Sequence, residues 1–219
     1  ALMAVLFSTD LSWLSPLLIF LGVVLFISKQ DSTPGRVGRV FIGLGLMLLA
    51  LRLIVEATEP LLASGAVRTL LISVKSDFFM ELLLGAVLAI IAYSSLAIVL
   101  LIAAMASSGA ISGDMSLGLV LGANLGSGVL AVLQTAKSSI EVRQVTVGNL
   151  IFKILGIAIV APFTGLWMTY VAPYIQGAGQ SAVLFHLAFN VLNKLGFIWF
   201  TGIIGDWMRK LLPKEDASQ

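Results

Sequence analysis

Ser94 and Ser95 stand between two apolar runs, residues 79–92 and 96–106, with Tyr93 beside them. Their hydroxyls both donate and accept, so they can meet the oxygens of an anion or act as hard oxygen ligands to a cation. A second polar insert follows. The apolar run 115–133 carries Gly122, Ala123, Asn124, Leu125, Gly126, Ser127 and Gly128 in its middle. Glycine lets backbone reach a ligand closely, and the Asn124 amide offers a carbonyl oxygen as well as two N–H donors. Each insert also has a plainer reading. Small residues let apolar helices approach one another, and Gly122 with Gly126 is a GxxxG pair. Packing alone, however, gains nothing from a buried amide such as Asn124.

The elements that must hold these residues follow from composition. The chain is 59% hydrophobic and only 11% charged, too little charge to cover a soluble domain of 219 residues. The fold class is an all-α polytopic membrane protein. At 1.5 Å per residue each arm of the serine stretch is roughly 15–21 Å long, short of the ~30 Å hydrocarbon core. Residues 79–108 are therefore expected to form a re-entrant hairpin with Tyr93, Ser94 and Ser95 at its tip. In hydrocarbon, irregular backbone is tolerated only where it lines a cavity or packs in protein. The glycine insert accordingly predicts a discontinuous helix over 114–135. Two interruptions close together point to a midplane binding site of the kind that secondary transporters build. The net charge of +2 does not imply nucleic acid, since the basic residues lie between apolar runs. Without cysteine there is no disulfide or thiolate metal site. No P-loop or catalytic constellation is visible, so neither an enzyme nor a cofactor is expected.

Taken in order, residues 1–78 read as two transmembrane helices, 11–28 and 40–62, joined by a polar loop at 29–39 and followed by an interfacial segment. Residues 79–219 read as the hairpin, the broken helix, helices 144–172 (bent near Pro162) and 181–208, and a basic tail. The positive-inside rule then puts the loop 29–39, Lys137, Arg143 and the basic tail in the cytoplasm, with 173–180 outside. Arg68 and Lys75 are the exceptions. Arg52 and Glu56, spaced i,i+4, are expected to neutralise each other. Lys153 and Lys194 lie inside spans, and Lys194 with Asn190 can supply positive charge to an anion. His186, the only histidine, reads as a packing or hydrogen-bonding residue. Residues 1–8 align with 128–135, each followed by a loop and two spans leaving on opposite sides. That is the pattern of an inverted-topology repeat, and it implies that the partner motifs precede Ala1 in a longer protein.

These residues resemble the type II sodium/phosphate cotransporter family, whose repeats carry a Gln-Ser-Ser tip and then a G-A-N-[IL]-G-[TS] element. Here they read Tyr93-Ser94-Ser95 and Gly122-Ala123-Asn124-Leu125-Gly126-Ser127, while Phe185-His186 and Phe189-Asn190 are similar to an element of bacterial members. The resemblance implies an inverted-repeat transporter of inorganic phosphate with Na⁺ as the coupling ion, set in the cell's inner membrane with a cytoplasmic C-terminus. It implies ligands at Ser94, Ser95, Gly122, Ala123, Asn124, Gly126 and Ser127, with Na⁺ at Ser94, Ser95, Asn124 and Ser127. Tyr93, Asn190 and Lys194 would support them, and the first repeat would complete the site. Tyr93 stands in place of the glutamine, Leu96 in place of a third serine and Gly128 in place of a frequent threonine. The rival expectation is a non-transporting sensor or scaffold in which both motifs serve only packing.

Overall fold

The computed structural model describes residues 13–28, 30–74 and 77–213, and these contain helices and turns with no strand. In chain order the helices are α1 Leu14–Ser28, α2 Thr33–Ala63, α3 Gly65–Val74, α4 Phe78–Ile91 and α5 Ser95–Ser107. They continue as α6 Gly113–Gln134, α7 Ile140–Val160, α8 Thr164–Tyr170, α9 Ala178–Phe197 and α10 Thr201–Leu211. Among the described residues four stretches are long and apolar enough to cross a bilayer: Thr33–Ala50, Gly113–Gln134, Ile140–Tyr170 and Ala178–Leu211. The protein is thus a multi-pass helical membrane protein. The repeat drawn from residues 1–8 lies outside the described residues.

Short polar side chains set the helix starts around the core. The Asp77 carboxylate accepts from the Phe79 and Met80 amides. Ser94 Oγ accepts from the Ala97 amide and Ser112 Oγ from the Met115 amide. Each satisfies an amide that the first turn leaves without a partner. Pro162 falls in a tight 3₁₀ turn, Ala161–Phe163, between α7 and α8, as its missing N–H requires. A second such turn, Ile198–Phe200, divides α9 from α10, where one uninterrupted span was expected. There the Thr201 hydroxyl donates to the Ile198 carbonyl at 2.9 Å and competes with the helical ladder. A further difference is that α2 begins at Thr33, so most of the expected loop 29–39 is helix. Pro34 suits a first turn and does not prevent it. The Arg52 Nε donates to Glu56 Oε1 at 2.6 Å, the expected i,i+4 pair.

Helix α6 forms the centre, with Val120, Leu121 and Ala123 wholly buried. It runs unbroken for 22 residues, and this corrects the expectation of a discontinuous helix. The glycines have a different purpose. Gly118, Gly122 and Gly126 recur every four residues and so share one face. An added Cβ at each would strike Glu81, the Leu82 carbonyl and the Ala86 carbonyl of α4, respectively, and one at Gly85 would strike the Leu119 carbonyl. Backbone meets backbone along this seam, where dispersion contacts hold membrane helices together.

The same contacts fix directions. Glu81 lies against Gly118 and Ala86 against Gly126, so α4 runs parallel to α6. Ser107, at the end of α5, lies against Gly179 at the start of α9. That start is at the same end of the bundle as the start of α6, where Gly113 meets Met168 and Trp167 Nε1 donates to Ser181 Oγ at 3.0 Å. Both feet of the α4–α5 hairpin therefore open at one end. The chain reverses at Tyr93, whose φ of 53° is the one positive value outside glycine among the described residues. At the opposite end Thr135 Oγ1 and Thr146 Oγ1 are 2.8 Å apart, and Gln144 Nε2 donates to the Leu212 carbonyl at 2.7 Å.

Candidate functional site

Two residues along an α-helix is a rotation of about 200°, so Asn124 points away from the Gly122 and Gly126 seam. It faces α9, where His186 and Asn190 are one turn apart on one side. Asn124 Nδ2 donates to the Val120 carbonyl at 3.0 Å and lies 3.0 Å from His186 Nδ1. Asn190 Nδ2 donates to Asn124 Oδ1 at 2.9 Å and to the His186 carbonyl at 2.8 Å. With amide donors pointing at it, His186 Nδ1 accepts, and the ring proton is on Nε2. Asn124 and His186 are 1% and 4% exposed, so the heart of this network lies inside the apolar core, with Asn190 half-buried at its edge.

A cation adjoins it. Lys153, half-buried on α7, donates from Nζ to Ser127 Oγ at 2.6 Å and to the Asn124 carbonyl at 3.1 Å. Ser127 Oγ in turn donates to that carbonyl at 2.8 Å. Ser127 is three residues beyond Asn124 and shares its side of α6. The arrangement is an amide and imidazole network joined through one backbone carbonyl to an ammonium and a hydroxyl. Oriented donors and a fixed positive charge in a low-dielectric interior are suited to holding an oxyanion.

The residues singled out from the sequence divide into three groups. Asn124, Ser127 and Asn190 meet in this cluster. Gly122, Ala123 and Gly126 belong to the α4 seam. Tyr93, Ser94 and Ser95 sit at the hairpin tip, where Ser94 caps α5 and neither serine is hydrogen-bonded to the cluster. Lys194 is exposed, so Lys153 is the lysine that reaches the polar network. Lys153 and His186 were not expected as members. Two signals point to them: an ionisable residue within a span faces the protein interior, and His186 with Asn190 has i,i+4 spacing. Glu81, buried in the first turn of α4 against Gly118, lies on the other side of α6. Asn193 Oδ1 is the one buried side-chain oxygen or nitrogen without a hydrogen-bond partner among the described residues.

These features define a class, a multi-pass helical membrane protein with a polar, cation-bearing cluster between its helices. The chain belongs to the Na+/Pi-cotransporter family, whose model matches residues 1–56 and 58–196. A protein of Escherichia coli (strain K12) named "Putative inorganic phosphate export protein YjbB" is 41% identical over 215 residues, 98% of this chain and 40% of its own. The protein of that name in Salmonella typhimurium is 40% identical over the same shares. "Uncharacterized protein YqeW" of Bacillus subtilis is 25% identical over 197 residues, 90% of this chain and 64% of its own. The chain thus spans about 40% of the length of the first two relatives. No solved structure gives a significant match.

Proposed function

We propose that this chain carries the second substrate- and ion-binding repeat of a sodium-coupled inorganic phosphate transporter. The observation that carries the reading is the hydrogen-bonded cluster of Asn124, Ser127, Lys153, His186 and Asn190, buried at Asn124 and His186 and half-buried at the rest, in the midst of apolar helices. A bundle that needed only packing would not draw an ammonium and two amides together between its helices. Family membership and the printed names of the relatives supply the substrate, inorganic phosphate. Sodium is the coupling ion, taken at the hairpin tip by Ser94 and Ser95. A related first repeat completes the site, and access alternates as the unit bearing α4 and α5 moves against the rest. The protein resides in the inner membrane. Lys137, Arg143, Arg209 and Lys210 share one end of the bundle, which the positive-inside rule assigns to the cytoplasm.

Liposomes holding the full-length protein are expected to exchange radiolabelled phosphate when a Na⁺ gradient is imposed and to lose most of that flux when K⁺ replaces Na⁺. Equal flux in both salts would remove sodium coupling. No phosphate flux in either would favour a sensor or scaffold. The hairpin has its own test. Cysteines introduced singly at Ser76 and Ser108 are expected to react with a membrane-impermeant thiol reagent from the same, outer side. Labelling from opposite sides would mean that residues 79–106 cross the membrane once.

A further inference from the structure

The geometry points to Lys153 as the fixed cation of this site: its ammonium holds the oxygen pair, Asn124 C=O and Ser127 Oγ, at which a sodium ion would otherwise bind, and offers its remaining N–H to the transported oxyanion. This rests on the phosphate-transport reading and divides the charges within it. The family resemblance implies Na⁺ at Asn124 and Ser127, without saying which of their oxygens. The Lys153 ammonium sits on one oxygen of each, 2.6 Å from Ser127 Oγ and 3.1 Å from the Asn124 backbone carbonyl. Ser127 gives its own proton to that carbonyl at 2.8 Å, which leaves its lone pairs for the lysine. An ammonium and a sodium ion carry equal charge and seek the same oxygens, and two like charges at contact repel strongly where water is excluded. They cannot both occupy the pair.

The lysine is also seated there by shape. A Cβ on Gly128 would come within 3.0 Å of Lys153 Cδ and 2.9 Å of Leu150 Cδ1. The bare backbone at Gly128 is what lets the aliphatic stem lie across α6 and carry the ammonium inward, where a lysine at a helix end would snorkel outward. Nζ has three N–H donors and spends two on Ser127 and Asn124, so the third remains for a phosphate oxygen. Sodium in this repeat is then left to the hairpin tip, away from the lysine.

The test uses the full-length protein in liposomes, with phosphate flux measured against phosphate and against Na⁺ concentration. Lys153→Met keeps most of the length of the unbranched side chain and removes its charge. It is expected to raise the KM for phosphate at least tenfold and to make flux respond more steeply to Na⁺, because the freed oxygen pair now admits the ion. Gly128→Val keeps the lysine but displaces its stem. It is expected to raise KM in the same direction, and it serves as the readout if the methionine variant does not fold. A wild-type phosphate KM in either folded variant would overturn the proposal. A raised KM with an unaltered Na⁺ response would overturn the shared position of lysine and sodium. Should the wild-type protein move phosphate equally in Na⁺ and K⁺, sodium coupling falls, while the phosphate KM still decides whether Lys153 holds the anion.

Discussion

Asn124→Ala is expected to reduce phosphate flux at least tenfold while leaving a folded protein. The substitution removes an amide that joins α6 to α9 by its contact with His186 and its bond from Asn190, and that also ties back to the Val120 carbonyl. Polar contacts between membrane helices are worth about 0.6 kcal/mol each on average, so losing the two that reach α9 costs about 1 kcal/mol. That is a fraction of the roughly 5–15 kcal/mol by which folded proteins are stable. The functional cost is larger because the cluster is a unit. Without Asn124, Asn190 loses its acceptor on α6 and the His186 ring loses its nearer amide donor, although the backbone carbonyl that holds Lys153 remains. Asn190→Ala breaks only part of this network and is expected to lower flux less. The measurement is phosphate flux beside the thermal unfolding midpoint for each variant. If Asn124→Ala transports like wild type with a lowered midpoint, the amide is helix–helix glue and the site lies elsewhere.

Much of the architecture was legible because the bilayer imposes simple rules. The paucity of charge required a membrane protein. The short arms around Ser94 and Ser95 predicted a hairpin, and both of its feet do open at one end of the bundle. Pro162 marked a bend because proline cannot donate. The course of α6 was not legible for a definite reason. Glycine has two uses in membrane helices, interruption and close approach, and the residue type does not separate them. The spacing does: Gly118, Gly122 and Gly126 recur every four residues, which is the period of a packing face and not of a break. Asn124 and Ser127 then belong to the opposite side of the same helix, so one motif carries a seam on one face and a polar site on the other. Lys153 was hidden for another reason. Its partners are 26 and 29 residues away in sequence, and no local pattern connects α7 to α6 across that distance. The start of α2 was missed because Pro34 and Gly35 suggest a loop, whereas proline is well tolerated in a first turn.

Gly122→Leu is expected to abolish the folded protein, or to lower its unfolding midpoint more than any substitution in the polar cluster. A Cβ at Gly122 already strikes the Leu82 carbonyl, which is backbone and cannot turn aside as a side chain can. Overpacking a core costs about 1–3 kcal/mol when side chains are able to shift. Here the whole of α4 must move, and the matching contacts at Gly85 and Gly126 move with it, so the cost belongs above that range. Gly43 provides the control, since nothing lies within 4 Å of a Cβ added there. Gly43→Leu is expected to fold and to unfold near the wild-type midpoint, although both changes place the same side chain on an apolar helix. The comparison is made in detergent by size-exclusion profile and thermal unfolding. Equal midpoints for the two leucine variants would mean that α4 does not sit backbone-to-backbone on α6. The parallel course of the hairpin arm would then lose its physical basis, and so would the account of the α6 glycines as a packing face, because both were derived from that one seam.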